Sequence, residues 1–315
     1  LILRSYLNTQ VADSTNNIYT AVTNSSSNPV VATFNVIGRN PQNKNQLIEV
    51  TDFFKQDNSV TGLLAKLKTD KKIGAIVAAQ SFVDDLRAYP MNVEVQTLKT
   101  YGASPSNIPD ANRVGAISFE LNTSIVLLPK VPMQKRLFDS RVGFFATRFI
   151  KFSDDQQRTQ IESYIHRFRL EPRKEDVNKY LSGQLVEPKK QIVFYIDPAT
   201  PKQWQKYLIL GVNDWNVAFE KAGFKNAIVA KEWPNDPAMS LEDARFNVIR
   251  YLPSEISNAY GPNIADPRSG EIIECHVGWY HNVMKLLQEW YLIQVGAVDK
   301  RARNLKLDEA LMGDL

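Results

Sequence analysis

The side chains that could carry hydrolytic or metal chemistry are few and scattered. His166, His276 and His281 are the three histidines of the chain, and none belongs to an H-E-x-x-H pair. His276 and His281 stand in a stretch that reads as strand followed by turn, where they point to opposite faces, and no third ligand lies at a metal-like spacing. Serine, histidine and aspartate occur without a G-x-S-x-G elbow, and no glycine-rich phosphate loop follows a strand. The acidic neighbours Asp84 with Asp85 and Asp154 with Asp155 are adjacent, so in an extended chain they face apart. They read as solvated loop or cap residues rather than a general acid and base. Cys275, the one cysteine, lies in an apolar run and reads as a small buried filler, which leaves no disulfide within the chain. Trp204, Trp215, Trp279 and Trp290 sit on apolar stripes and read as core. No catalytic residue and no metal ligand is assigned on this basis.

The totals narrow the remaining classes. With 315 residues and 43% apolar content the chain can fill about two globular cores. Its 38 basic and 34 acidic residues give +4 but are interspersed, so there is no charge block of the kind that grips nucleic acid or a membrane surface. Nothing approaches the ~20 continuous apolar residues of a membrane span, and the opening "LILRSYLNTQ" turns polar too soon for a signal peptide. The sequence does not begin with methionine and reads as a piece of something larger. "NSSSN" at 24–28 reads as a loop tip.

Two rhythms divide the chain. Over 1–150 the period is two: "NIYTAVT", "VVATFNVIG", "QLIEVTDFF", "GAIVAAQSFV", "NVEVQTLKTYG", "GAISFELNTSIVLL" and "RVGFFATRFIKF" read as strands of an antiparallel β-rich domain, interrupted by a helix at "VTGLLAKLK". Residues 151–188 read as a polar, helical connector punctuated by Pro172 and Pro188. From 189 onward "QIVFYID" is a buried strand and a long helix follows. Thr200 is its expected cap, Pro201 and Gln203 its first turn, Trp204, Leu208, Val212, Trp215, Phe219 and Ala222 its buried stripe, and Gly223 its stop. "NAIVAK" resumes as a strand. Strand, helix, strand makes two parallel strands with a right-handed crossover, and "FNVIRYL" adds another strand.

"NAYGPNIADPRSGEIIECHVGWYHN" reads as a hairpin turned at "DPRSG" on one rim of the sheet. A second helix, "NVMKLLQEWYLIQVGAV", buries Val283, Leu287, Trp290 and Val298. After a basic loop, "DKRARNLK", a last helix opens at Asp308 and presents Leu307, Leu311, Met312 and Leu315 on one face.

The run "LVEPKKQIVFYIDPATPKQWQKYLILGVNDWNVAFEKAGFKNAIVAKEWP", continued by "DARFNVIRYLP", "NAYGPNIADPRSGEII", "WYHNV" and "DEALMGDL", and preceded by "RLFDSRVGFFATRFIKFSDDQQ", closely resembles the large bacterial zinc-dependent metallopeptidases of the metzincin type. The resemblance implies an α+β fold. An N-terminal antiparallel β-rich domain is followed, over 189–315, by the upper subdomain of a zincin-like catalytic domain with a twisted mixed sheet and a long backing helix. In that family the helix beginning at "DEALMGDL" continues into H-E-x-x-H-x-x-G-x-x-H, whose histidines hold zinc and whose glutamate is the general base. The resemblance thus implies that the chain stops about one or two turns short of the motif. It implies zinc as the cofactor of the intact parent, a peptide or protein substrate, a cell-envelope location, and a fragment inactive alone.

The same resemblance makes Glu271, Ile272, Ile273, Glu274, Cys275, His276 and Val277 a substrate-binding edge strand, pairing with an extended peptide by β-augmentation. The plain alternative is that this strand is the outer member of the hairpin. A second functional reading is a non-catalytic envelope module whose β-domain binds a peptide or glycan beside a degenerate zincin-like half. A third has the N-terminal half shielding the cleft as a pro-segment.

Overall fold

A computed structural model describes residues 1–4, 10–25, 28–105, 108–303 and 307–315. Two residues of the "NSSSN" stretch and three of "DKRARNLK" lie outside the described residues. The fold is mixed α+β. It divides into two compact units, the first comprising Leu1–Leu127 with Arg148–Ser163 and the second Leu128–Thr147 with Tyr164–Leu315. No helix among the described residues is long and apolar enough to cross a membrane.

The first unit is built around four antiparallel strands, β1 (Ile73–Ile76), β2 (Phe82–Ala88), β3 (Asn92–Ala103) and β4 (Ala116–Val126). β3 is central, with β4 along one side and β2 and β1 along the other. Alternation then decides which residues go inside. Tyr101, Ile117 and Ile73 point to a core shared with Leu63 and Leu67, and Lys99, on the same face of β3, is fully buried. Small antiparallel ladders join Ile2–Arg4 with Val30–Thr33 and Val36–Arg39 with Gln46–Ile48, and in a further three-stranded sheet Gln10–Ala12 pairs with Ile150, Lys151 and Phe152 in parallel, a departure from the all-antiparallel expectation.

Three readings of this half are corrected. "NIYTAVT" is a helix, Ile18–Ser25, with Val22 buried. Asp154 caps it, its carboxylate accepting from the amides of Asn17 at 2.6 Å and Ile18 at 2.8 Å; a remote cap overrides the strand preference of a β-branched run. The helix expected at 60–68 forms at Ala65–Lys71, behind a turn. The connector expected to be helical is largely extended: strands run over Ala146–Phe152 and Gln160–Ile165, and helix is confined to Val177–Leu181 and a 3-10 turn before it.

The second unit has a six-stranded mixed sheet. Its strands are β5 (Ile192–Ile196), β6 (Ile228–Glu232), β7 (Asn247–Leu252), β8 (Ala259–Tyr260), β9 (Asn263–Ala265) and β10 (Ile272–Tyr280). The order is β6-β5-β7-β10-β8, with β9 also on β10. The first four are parallel neighbours, while β8 and β9 run antiparallel to β10. Helices α1 (Lys202–Asp214) and α2 (Asn216–Lys221) make the crossover from β5 to β6. Leu208, Val212 and Phe219 pack on the sheet core of Ile192, Phe194, Ile196, Ile228, Ala230 and Ile249. Fully burying an isoleucine or phenylalanine, as at Ile192, Phe194, Ile196 and Ile249, stabilises by about 1.5–3 kcal/mol each.

The expected single helix is therefore two, and the reason lies in two asparagines. Asn213 Oδ1 accepts from the Ala230 amide at 3.0 Å. Asn216 accepts from the Ile228 amide at 3.2 Å and donates to its carbonyl at 2.8 Å. β6 is the outermost strand on this side, so its unpaired backbone groups would otherwise face outward; side-chain amides satisfy them. The helix breaks at Trp215, which is 63% exposed rather than part of the stripe. Thr200 is buried and does not cap: its hydroxyl has no hydrogen-bond partner among the described residues, and Pro201 occupies the cap position.

The remaining helices are α3 (Val283–Val295) and α4 (Glu309–Asp314). Val283 is buried as expected, but Trp290 and Val298 are largely exposed. At α4 the expected cap forms, Asp308 Oδ1 accepting from the Leu311 amide at 2.8 Å, and Leu311 is buried.

Candidate functional site

The stretch singled out as an edge, Glu271 to Val277, is an interior strand. Sheet order decides this, because β10 has neighbours on both sides. Val248 through Leu252 pair with His276 through Tyr280 on one side. Asn263, Ile264 and Ala265 pair with Cys275, Glu274 and Ile272 on the other, followed by Tyr260 and Ala259 opposite Gly278 and Trp279. Below the start of β7, the Ile272 amide donates to the Arg167 carbonyl at 2.9 Å. Neither edge reading for 271–277 survives; the outer run of the hairpin is 259–265. The turn between its arms does form as expected. The Asp266 carbonyl accepts from Ser269 at 3.1 Å and Gly270 at 2.8 Å. Gly270 has φ +75°, and a Cβ there would sit 2.2 Å from the Ile165 carbonyl oxygen, so glycine is required.

Charged groups clamp this turn. Asp266 is fully buried and forms a fork with Arg268 at 2.9 and 2.7 Å, while Arg268 also donates to the Pro129 carbonyl at 2.6 Å. Burial pushes the Asp266 carboxyl up, but the Arg268 hydrogen bonds outweigh it and hold the group below its ordinary value. Glu271, nearly buried, takes two bonds from Arg169 at 2.9 and 2.5 Å. The hydrogen bond to Glu271 raises the Arg169 guanidinium further above its ordinary value. The same Asp-x-Arg fork recurs at Asp139 with Arg141, Asp243 with Arg245 and Asp299 with Arg301. That spacing is visible in the sequence, so the clamp around Asp266 could have been read there.

The titratable groups of the strand have structural partners. Burial and then the Glu274 charge push the Cys275 thiol up to about 11, which suits a packed filler and not a nucleophile. His276 Nε2 stands 2.8 Å from Glu274 Oε1, within ion-pair distance but without hydrogen-bond geometry among the described residues. His281 Nδ1 is 2.6 Å from the Tyr251 hydroxyl. His166 bonds through Nδ1 to Asn263 Oδ1 at 3.0 Å and through Nε2 to the Thr147 hydroxyl at 2.9 Å. The three histidines are not brought together, and no three of His, Cys, Asp or Glu converge among the described residues. These residues do not fit a zinc site.

Beside the N-terminal half of β10 lies a cavity of about 450 Å³, lined in part by Phe168, Arg169, Ile192, Phe246, Asn247 and Ile273. It opens where β7 begins later than its neighbours. Asn247 closes its upper end, donating to the Val193 carbonyl at 3.0 Å and accepting from the Cys275 amide at 3.0 Å, as a further peptide group of β7 would. Nothing in the sequence pattern marks Asn247 for this role.

A family model described as a domain of unknown function, DUF5117, matches residues 1–173. The chain belongs to the DUF5117 family. The match spans the first unit and ends before β5, so the mixed sheet and its crossover lie outside the DUF5117 segment. No curated protein and no solved structure matches the chain.

Proposed function

We propose that this chain is part of a zinc-dependent endopeptidase of the cell envelope, contributing the β-rich N-terminal half and the upper, substrate-supporting part of the catalytic domain. Support comes from one observation above the others: a mixed sheet in the order β6-β5-β7-β10-β8, spanned by a crossover helix and finished by an antiparallel outer run. It joins the sequence resemblance over the same residues. The zinc ligands and general base are assigned to sequence outside these 315 residues, and no step of hydrolysis is assigned to a residue within them.

The role of this chain is to hold substrate extended. Backbone groups on the outer side of 259–265 are the ones placed to pair with a peptide, in place of Glu271 to Val277, whose ladder bonds are taken. His166, bonded to Asn263, fixes that run from beneath. Hydrogen exchange on the amides of 259–265, with and without an unstructured peptide such as casein fragments, tests the alignment. Protection of these amides on adding peptide is expected. Protection elsewhere with none at 259–265 removes the alignment role.

A further inference from the structure

The first unit holds a second cavity, of about 340 Å³, on the outward face of its sheet. It goes beyond the peptidase reading and does not depend on it. Strand alternation sets one face of β3 on the core and turns Asn92, Glu94, Gln96 and Leu98 the other way. Register places Glu120 and Asn122 of β4 opposite Leu98 and Gln96, and Phe82 of β2 opposite Leu98 from the other side. The ladder of β2 shifts between Val83 and Asp85, and this bulge brings Asp84 to the cavity wall beside Phe82.

Next to the cavity along the same face stands a hydrogen-bonded carboxylate. Glu94 is buried and accepts from Asn92, from Asn122 Nδ2 at 2.5 Å and from the Ser124 hydroxyl at 2.5 Å. Those bonds fix the Asn122 amide in one orientation. The cavity itself is lined by Asp84, Glu120 and Asn122 around an apolar shelf of Phe82 and Leu98.

We propose that this face binds a neutral saccharide. Carboxylates and amides side by side accept from and donate to neighbouring hydroxyls, and an exposed aromatic with a leucine covers the C–H face of a sugar ring. Phe82 is 46% exposed, which a core role does not explain. Among the described residues no lysine or arginine lines the cavity, so its field disfavours phosphates, sulfated glycans and nucleic acid. The volume is near the lower end of ligand pockets, roughly 300–1,000 Å³, suited to one or two sugar rings of a longer chain.

The test is calorimetric titration of the 315-residue chain with maltohexaose, cellohexaose, xylohexaose, mannohexaose and chitohexaose. At least one binds. Phe82→Ala and Glu120→Gln each weaken that binding by about tenfold or more, equivalent to about 1.4 kcal/mol, with an unchanged melting temperature, because both side chains are exposed. Raising salt from about 0.05 to 0.5 M changes the affinity by less than about twofold, since the ligand is uncharged. The proposal is overturned if no member of the panel binds, if both variants bind like the parent, or if binding collapses with salt. A tight, salt-sensitive complex with oligolysine in place of any sugar would likewise assign the face to cationic peptides and overturn it.

Discussion

Lys99 offers the sharpest test of the first unit. Its ammonium is fully buried and donates to the Gln56 carbonyl at 2.7 Å, the Thr61 carbonyl at 2.7 Å and the Thr61 hydroxyl at 3.0 Å. Asp57, Lys68 and Tyr101 are the ionisable groups around it: Asp57 is ion-paired with Lys68 and bonded to the Tyr101 hydroxyl. Burial dominates and pushes the Lys99 pKa down from 10.5 to about 8, against the attraction of Asp57 and with help from Lys68. The unfolded chain keeps that proton to about 10.5. Below pH 8 the folded state therefore carries the full cost of a buried ammonium, roughly 3 kcal/mol, and sheds it as pH rises from 8 toward 10.5.

Lys99→Met removes this contribution and leaves the Gln56 and Thr61 oxygens without a donor, a pH-independent cost of about 1–3 kcal/mol for each buried group left unpaired. Near pH 7 the two effects oppose each other. By pH 10 the parent has regained roughly 2–3 kcal/mol that the variant cannot, so the stability gap widens by that amount. Urea unfolding followed by far-UV circular dichroism at pH 7, 8, 9 and 10 measures it; Trp204, Trp215, Trp233, Trp279 and Trp290 all lie in the second unit, so tryptophan fluorescence does not report on Lys99. The series stops at pH 10 because burial raises Tyr101 to about 12, which lowers stability between 10 and 12. A gap that stays constant from pH 7 to 10 refutes the reasoning.

Four further outcomes follow from the second unit and its neighbours. Arg169→Met leaves the nearly buried Glu271 carboxylate without its partner and lowers stability by about 2–4 kcal/mol, read from tryptophan fluorescence in urea; an unchanged midpoint contradicts the clamp. Gly270→Ala combines a positive φ with a 2.2 Å approach to the Ile165 carbonyl and costs at least about 2 kcal/mol, whereas a neutral result shows that the turn can relax. Asp308→Ala costs about 1 kcal/mol and speeds amide exchange at Leu311 ahead of α3; equal exchange would mean the cap is unnecessary. Cys275 reacts with iodoacetamide at pH 8 far more slowly in the folded than in the urea-unfolded chain, and equal rates would contradict a half-buried thiol whose pKa is raised.

Local rules written on one element were legible in the sequence. β5, the crossover and β6 follow from a continuous apolar run, a 3.6-residue stripe and Gly223. The turn at Asp266 follows from proline, serine and glycine in order, and α4 from Asp308. What escaped depended on partners far away in sequence. Ile18–Ser25 is helical because Asp154 caps it from 136 residues downstream. Trp215 and Trp290 match the apolar period of their helices but lie outward, because period fixes a face and not what covers it. The status of Glu271 to Val277 turned on strand order, which alternation does not contain: the same β-branched run serves an outer or an inner strand. The polar face beside Glu94 escaped for a related reason, since Asp84, Gln96 and Glu120 come together only through register.

On the function proposed above, these residues support a zinc peptidase whose metal-binding residues lie outside them. The direct measurement is zinc content and casein hydrolysis, with and without chelator, for the protein encoded by the whole gene and for the 315-residue chain alone. The account predicts about one zinc per chain and chelator-sensitive hydrolysis in the former, and neither in the latter. Stoichiometric zinc and hydrolysis by the 315-residue chain itself, or a whole protein that binds no zinc and cleaves no peptide, would contradict it.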